Sequence, residues 1–484
     1  MTSVDAIVVG SGPNGMAAAV TLARAGLSVT VREANSTIGG GARTAELTIP
    51  GFHHDVGSAI HPMALASPFF REFGLRDRID LAVPDISYAQ PLDGRDAAIA
   101  WRDLDRTAAG LGRDGDAWRS LFAPLVNHID AVTDIAGAPL ARVPRHPFVL
   151  AAFGLRMLEQ GTGAWNARFR EAAAPALLTG VIAHSIQRLP SLSSAAAGLV
   201  LAAHAHAAGW PVPIGGSQSI INAMADDLRA HGGTIETDSP VTSLKELSDA
   251  RIVVLDTTPR ALLELGGDAV PAGYAKTLRR FRYGNAIAKV DYALSGPVPW
   301  ADVRLQQAPT LHLGGFREEV AGGERAVSRG RMPLSPYVLV AQPSSLDPTR
   351  APEGRHVLWA YTHVPSGSAE DRSEAITAQI ERFAPGFRDT ILASTSRSAI
   401  EVEGTNRNYI GGDISAGDVN LRQLIARPTL VEPWRTPLPG VYLCSSATSP
   451  GPGVHGLAGW HAARSALRHE FGITTSPNLA PATA

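Results

Sequence analysis

Two stretches of this chain space their glycines as a backbone must to close around a phosphate. GSGPNG runs from Gly10 to Gly15, and GPGVHG from Gly451 to Gly456. In G-x-G-x-x-G the first glycine permits a tight turn. The second lets ligand approach the backbone, and the third lets helix pack closely on strand. The first copy has its full context. DAIVVG (5–10) reads as a short β-branched strand, and Pro13 suits the start of a helix that Gly26 would stop. A pyrophosphate would sit on the positive end of that helix. Glu33 ends the next strand, SVTVRE, where an acid can accept hydrogen bonds from a ribose diol and favours a free 2′-hydroxyl. Gly10, Gly12, Gly15 and Glu33 are thus candidate cofactor-binding residues for a dinucleotide. This motif alone does not distinguish a flavin from a nicotinamide.

The second copy lacks that context. A helix follows it, but no further strand and acid, so it does not open a second dinucleotide unit. The titratable candidates are scattered. Lys289 lies in the alternating, strand-like run YGNAIAKVDYAL with Asp291 two residues on, and it is one of only three lysines among 43 basic residues. His61, His184, His204, His206 and His455 are the histidines placed near the glycine-rich or apolar segments, and Tyr409 and Trp210 could wall a pocket. No metal-ligand spacing and no paired carboxylates stand out.

The elements that must position these residues follow from pattern and composition. A chain of 484 residues exceeds one core. From about 71 to 210 the pattern is helical and irregular. GGTIETDSPVTSL and ARIVVLDTTP (232–259) read as strands returning to the first sheet, and 261–410 mixes strands and helices. GVYLCSS (440–446) reads as a buried strand before an Ala-rich helix from roughly 454 to 468. The expected class is α/β: a discontinuous Rossmann-like cofactor domain (1–70, 211–260 and 411–471) with an inserted α+β substrate or cap domain (71–210 and 261–410). The Thr-, Pro- and Ala-rich end, 472–484, is expected to be disordered.

Net charge is −2, which gives no broad attraction to nucleic acid. Cys444 is the only cysteine, so disulfide and C-x-x-C redox chemistry are excluded. No basic n-region precedes the first strand, and no apolar stretch is long enough for a bilayer. A cytoplasmic protein is expected. RVPRHPFVLAAFGLRMLEQG (142–161) could be either an amphipathic helix resting on a membrane or a packing helix.

Beyond Glu33 the chain continues ANSTIGGGARTAEL, an acid, a short spacer, Gly-Gly and an arginine. Here it resembles the flavoprotein superfamily of amine oxidases and phytoene desaturases. The stretch GVYLCSSATSPGPGVHGLAGWHAARSAL is similar to that superfamily's closing motif. Residues 210–241, QIERFAPGF, GGDISAG and QLIARP resemble its phytoene desaturase-like branch, often labelled pyridine nucleotide-disulphide oxidoreductase domain proteins. The resemblance implies one FAD gripped at both ends. Gly40 would join the wrapping loop, Arg43 would pair with the pyrophosphate and Val241 would meet the adenine. A helix N-terminus near Val454 and His455, with Gly453, would face the isoalloxazine. Many members carry Gly-Asp where this chain has Ser445 and Ser446, so Ser446 would have to replace the acid on the ribityl chain. Asp413 stands where covalent members have cysteine, which implies noncovalent FAD. Lys289 corresponds to a lysine linked through water to flavin N5 in amine oxidases, and with His455 it is the catalytic candidate.

The expected function is an FAD-dependent oxidoreductase that desaturates or dehydrogenates a hydrophobic, polyene- or isoprenoid-like molecule by hydride transfer to N5. Oxygen, a quinone or a carrier would be the electron acceptor. The alternatives are amine oxidation, flavin-dependent isomerisation without net redox, and a non-catalytic flavoprotein partner or scaffold.

Overall fold

The computed structural model describes residues 4–481. One sheet is parallel and five-stranded, because short β-branched runs can be buried on both faces only when helices cover them. Its order is Val441–Leu443, Ile252–Leu255, Ala6–Val9, Val29–Arg32, Thr234–Glu236. The centre is AIVV, flanked in register by IVVL and VTVR. Its chain order reverses beside Ala6–Val9, and the carboxyl ends of strands at such a switch point form a crevice for ligands.

Two Ala-rich helices cover one face. Pro13–Arg24 and Leu457–Phe471 approach so closely that a Cβ on Gly459 would lie 1.8 Å from the Asn14 carbonyl oxygen. The closing helix starts at Leu457, after Gly456 in the left-handed region. Residues 454–456 are therefore turn, three residues of the helix expected from 454.

A second, seven-stranded sheet carries the other large core. Its order is Ile391–Arg397, Ala286–Leu294, His356–Val364, Val338–Ala341, Thr310–Leu313, Ile86–Leu92, Arg95–Trp101. Its last two strands form a hairpin inside the stretch that reads as helical. Asp93 and Gly94, with Gly94 at φ +67°, supply its turn. Helices Ala173–Ile182 and Leu192–Ala207 pack within the core that backs this sheet.

The end of the chain departs from expectation. Residues 472–481 contain no helix or strand but are held in place. Leu479 is buried in the core of the five-stranded domain, and Arg24 donates to the carbonyl oxygens of Asn478 and Ala480. A polar, Pro-rich composition did not prevent order, because one apolar side chain found a pocket and an arginine satisfied the backbone. Residues 482–484 of that expected tail lie outside the described residues.

Candidate active site and cofactor cleft

One cavity of about 890 Å³ runs from the carboxyl ends of Ala6–Val9 and Ile252–Leu255 to the face of the seven-stranded sheet. At the first end Gly10 has φ +98°, and a Cβ on Gly15 would fall 2.1 Å from the Gly10 carbonyl oxygen. Gly12 caps the helix Pro13–Arg24 without a side-chain partner. The Gly-Gly loop packs directly on this turn, since a Cβ on Gly40 would lie 3.0 Å from the Gly12 Cα. Gly10, Gly12, Gly40, Val241, Ser446, Gly453 and Val454 all line the cavity.

Glu33 is buried at the same end. Its Oε2 accepts from the Ser11 N–H and Oγ at 3.0 and 2.6 Å, and its Oε1 from the Asn35 N–H and Nδ2 at 2.9 and 2.7 Å. The carboxylate is thereby fixed at the cavity wall, and a ribose would exchange with the Ser11 hydroxyl or the Asn35 amide. A glycine cradle, an uncapped helix end and a fixed acid at its rim fit the diphosphate and ribose of a dinucleotide.

Arg43 departs from the expected role. Its Nε donates to the Gly40 carbonyl at 3.0 Å, and its Nη2 to the Thr405 carbonyl at 2.7 Å. It braces the wrapping loop and does not line the cavity, whereas Arg407, an exposed residue, does. Proximity in sequence to Gly-Gly left the direction of the guanidinium undetermined.

Lys289 points inward, wholly buried at the cavity wall. Its ammonium donates to the Asp55 carbonyl at 2.8 Å and to the Asp291 carboxylate, whose oxygens lie at 2.8 and 2.9 Å. Burial pulls its pKa down to about 8 against the attraction of Asp291. Behind it, fully buried Arg350 bridges Asp55 and Asp347 at 2.9 and 2.7 Å. The ammonium is thus held between Asp55 and Asp291 at the cavity wall.

His455 is locked in the glycine turn. Its Nδ1 accepts the Leu457 N–H at 3.0 Å, so its Nε2 carries the proton and faces the Gly451 carbonyl at 3.2 Å. Burial depresses its pKa to about 4, so the ring is neutral and fully engaged. His61 bonds Ser217 at 2.8 Å. His204 and His206 lie away from the cavity, bonded to Thr133 and Trp118. His184 does line it, and its Nε2 meets His312 Nε2 at 2.7 Å.

The sheet face adds residues that sequence reading missed. Trp359 and Tyr361 alternate along one strand, their rings edge-to-face at 5.1 Å, opposite Asp291 and Lys289 in register. Asp256, after the apolar run IVVL, is also missed. Its Oδ2 accepts the Gly15 N–H at 3.0 Å beneath the fingerprint. The period-2 spacing of Trp359 and Tyr361 was readable, but a strand buried on both faces does not show which face meets a ligand.

The description "flavin containing amine oxidoreductase" matches residues 14–467. The chain belongs to that family. It is an FAD-dependent oxidoreductase, as the expected class and cofactor required. It is 26% identical to the rat "pyridine nucleotide-disulfide oxidoreductase domain-containing protein 2", covering 96% of this chain and 93% of that protein. It is also 26% identical to the phytoene dehydrogenase of Streptomyces griseus, covering 82% and 81%. Among solved structures, a putrescine oxidase variant superposes with a TM-score of 0.62 at 18% identity, covering 97% of this chain and 99% of that one.

Proposed function

We propose that this FAD-dependent oxidoreductase desaturates or dehydrogenates a hydrophobic small molecule of polyene or isoprenoid type. The observation carrying this reading is the far end of the cavity, walled by Phe153, Leu201, Trp210, Leu339 and Trp359. The lysine there is tied to the Asp291 carboxylate, which offsets its charge at that wall. Apolar and aromatic walls bind by excluding water and orient a flat chain by ring contacts. FAD, when bound, accepts the hydride and carries the redox chemistry. The protein's part is to hold the ligand against the cofactor with the 453–456 turn closing over the junction. The electron acceptor is proposed to be oxygen, a quinone or a carrier.

The reading extends to a lipid surface. Helix Pro147–Gln160 is open to solvent at Phe148 (89% exposed) and Leu155 (68%), with Val143 (89%) just before it. Arg145 beside them is largely exposed. Phe153 of this helix and nearby Leu140 line the cavity, so the helix that carries the patch borders it. Apolar side chains with adjacent cations fit the headgroup boundary of an anionic bilayer, from which a hydrophobic substrate could enter. Among the described residues no helix is long and apolar enough to cross a membrane.

The test is anaerobic reduction. Holoenzyme would be mixed with solubilised polyenes or isoprenoids and, separately, with primary amines, while the flavin colour is followed. Bleaching by a polyene that gains a double bond supports the reading. Bleaching by amines alone would assign amine oxidation instead. Conversion of substrate only by pre-reduced enzyme, without net electron transfer, would assign isomerisation. Reoxidation with oxygen or a quinone then identifies the acceptor.

A further inference from the structure

Asp256 takes one of the few donors available where the diphosphate must bind. In the first turn of Pro13–Arg24, Pro13 has no N–H. The Gly15 N–H is given to Asp256 Oδ2 at 3.0 Å, which leaves Asn14 as the uncommitted amide of that turn. Asp256 is 8% exposed and lines the cavity. The Gly12 N–H also bears on this carboxyl. The side chain lies so close under the fingerprint that a Cβ on Gly12 would meet Oδ2 at 2.6 Å.

Among the described residues no cation compensates this carboxyl. Glu33, Cys444 and Tyr409 face it, from the ends of two neighbouring strands and from the 406–412 loop. Glu33 adds a like charge, whereas the thiol and the phenol are buried and neutral. The helix N-terminus alone favours the anion. Burial wins and lifts the carboxyl to about 7.

A second anion cannot share this helix end cheaply. Like charges a few ångströms apart in a partly desolvated site force one group to neutralise. A protonated carboxyl there has the opposite effect, because its O–H can donate to a phosphate oxygen while its carbonyl oxygen keeps the Gly15 N–H. We propose that Asp256 is a cofactor-binding residue that carries a proton when the FAD diphosphate is seated, so that loading of FAD takes up a proton. No bond is formed or broken. One proton moves from solvent to Asp256 as the diphosphate arrives.

The test uses the full chain freed of flavin and titrated with FAD. Calorimetry near pH 8, in two buffers of different ionisation heat, counts protons. Close to one proton taken up per FAD is expected at about pH 8, falling toward none near pH 6. Flavin fluorescence should show the dissociation constant rising up to about tenfold per pH unit above neutrality. Asp256→Asn should abolish that slope and bind FAD at about pH 8 at least as tightly as wild type. Absence of proton uptake by wild type near pH 8 would overturn the proposal, whether or not the variant folds. So would a folded Asp256→Asn protein that keeps the wild-type slope. If wild type took no FAD at any pH, the family-based cofactor assignment would fail instead.

Discussion

At Gly15 a methyl group has nowhere to go, since the space ends 2.1 Å away at the Gly10 carbonyl oxygen. Gly15→Ala must open the strand-to-helix turn. The flavin-to-protein ratio of the purified variant is expected to fall by at least tenfold, with a folded, colourless protein as the signature. Lys289 calls for a different experiment. Its ammonium neutralises Asp291, which is wholly buried and otherwise reached by Arg397 at 3.4 Å and by the His54 ring at 3.8 Å. Removing one partner of a buried pair typically costs about 3–5 kcal/mol. Lys289→Met should therefore lower the melting temperature sharply, and Lys289→Met with Asp291→Leu should recover most of the loss. A Lys289→Met protein with unchanged melting temperature but slow flavin oxidation would instead restore the lysine to the chemistry. The sequence placed Lys289 on a strand and Asp291 beside it. It could not show the tie to the Asp55 carbonyl, which comes from 234 residues away.

At the scale of elements, the helix Pro147–Gln160 makes the clearest prediction. Phe148→Asp with Leu155→Asp changes only solvent-facing positions, so folding and flavin content should persist. Co-sedimentation with anionic vesicles is expected to drop by at least tenfold. Equal sedimentation of the variant and wild type would remove the lipid surface from the proposal. The elements legible in the sequence were those with local signals. The first βαβ unit announced itself by strand, glycines and acid, and AIVV, VTVR, IVVL and VYL all entered one parallel sheet. The hairpin at Asp93–Gly94 had a local signal too, masked by Ala-rich flanks that read as helix. The substrate wall was not legible. Trp359, His184 and Phe153 come from separate elements, and only their packing makes them neighbours of one cavity. Asp256 had no motif around it, since an acid after an apolar strand is ordinary until a glycine turn is folded over it.

Across the whole molecule, the buried histidines act together. His54, His61, His206, His455 and His461 are depressed to about 4, and His184 to about 3, each chiefly by burial. Their folded pKa values lie below the ordinary 6.5, so the unfolded chain binds more protons as pH falls through that window. Their contribution is whole above about 6.5 and is lost toward 4, each ring costing up to about 1.4 kcal/mol per pH unit. The urea midpoint should fall steeply between about pH 7 and 5, and equal midpoints would contradict the buried, neutral assignment. The five-stranded sheet has a different consequence, one for biosynthesis. Ala6–Val9 must wait for Ile252–Leu255, and that strand for Val441–Leu443, before the sheet is complete. The phosphate-binding glycines at 10–15 are synthesised long before the turn at 453–456 that closes the cleft. A chain stopped at residue 439 should emerge unable to retain flavin, because its sheet lacks the last strand and its cleft the closing turn.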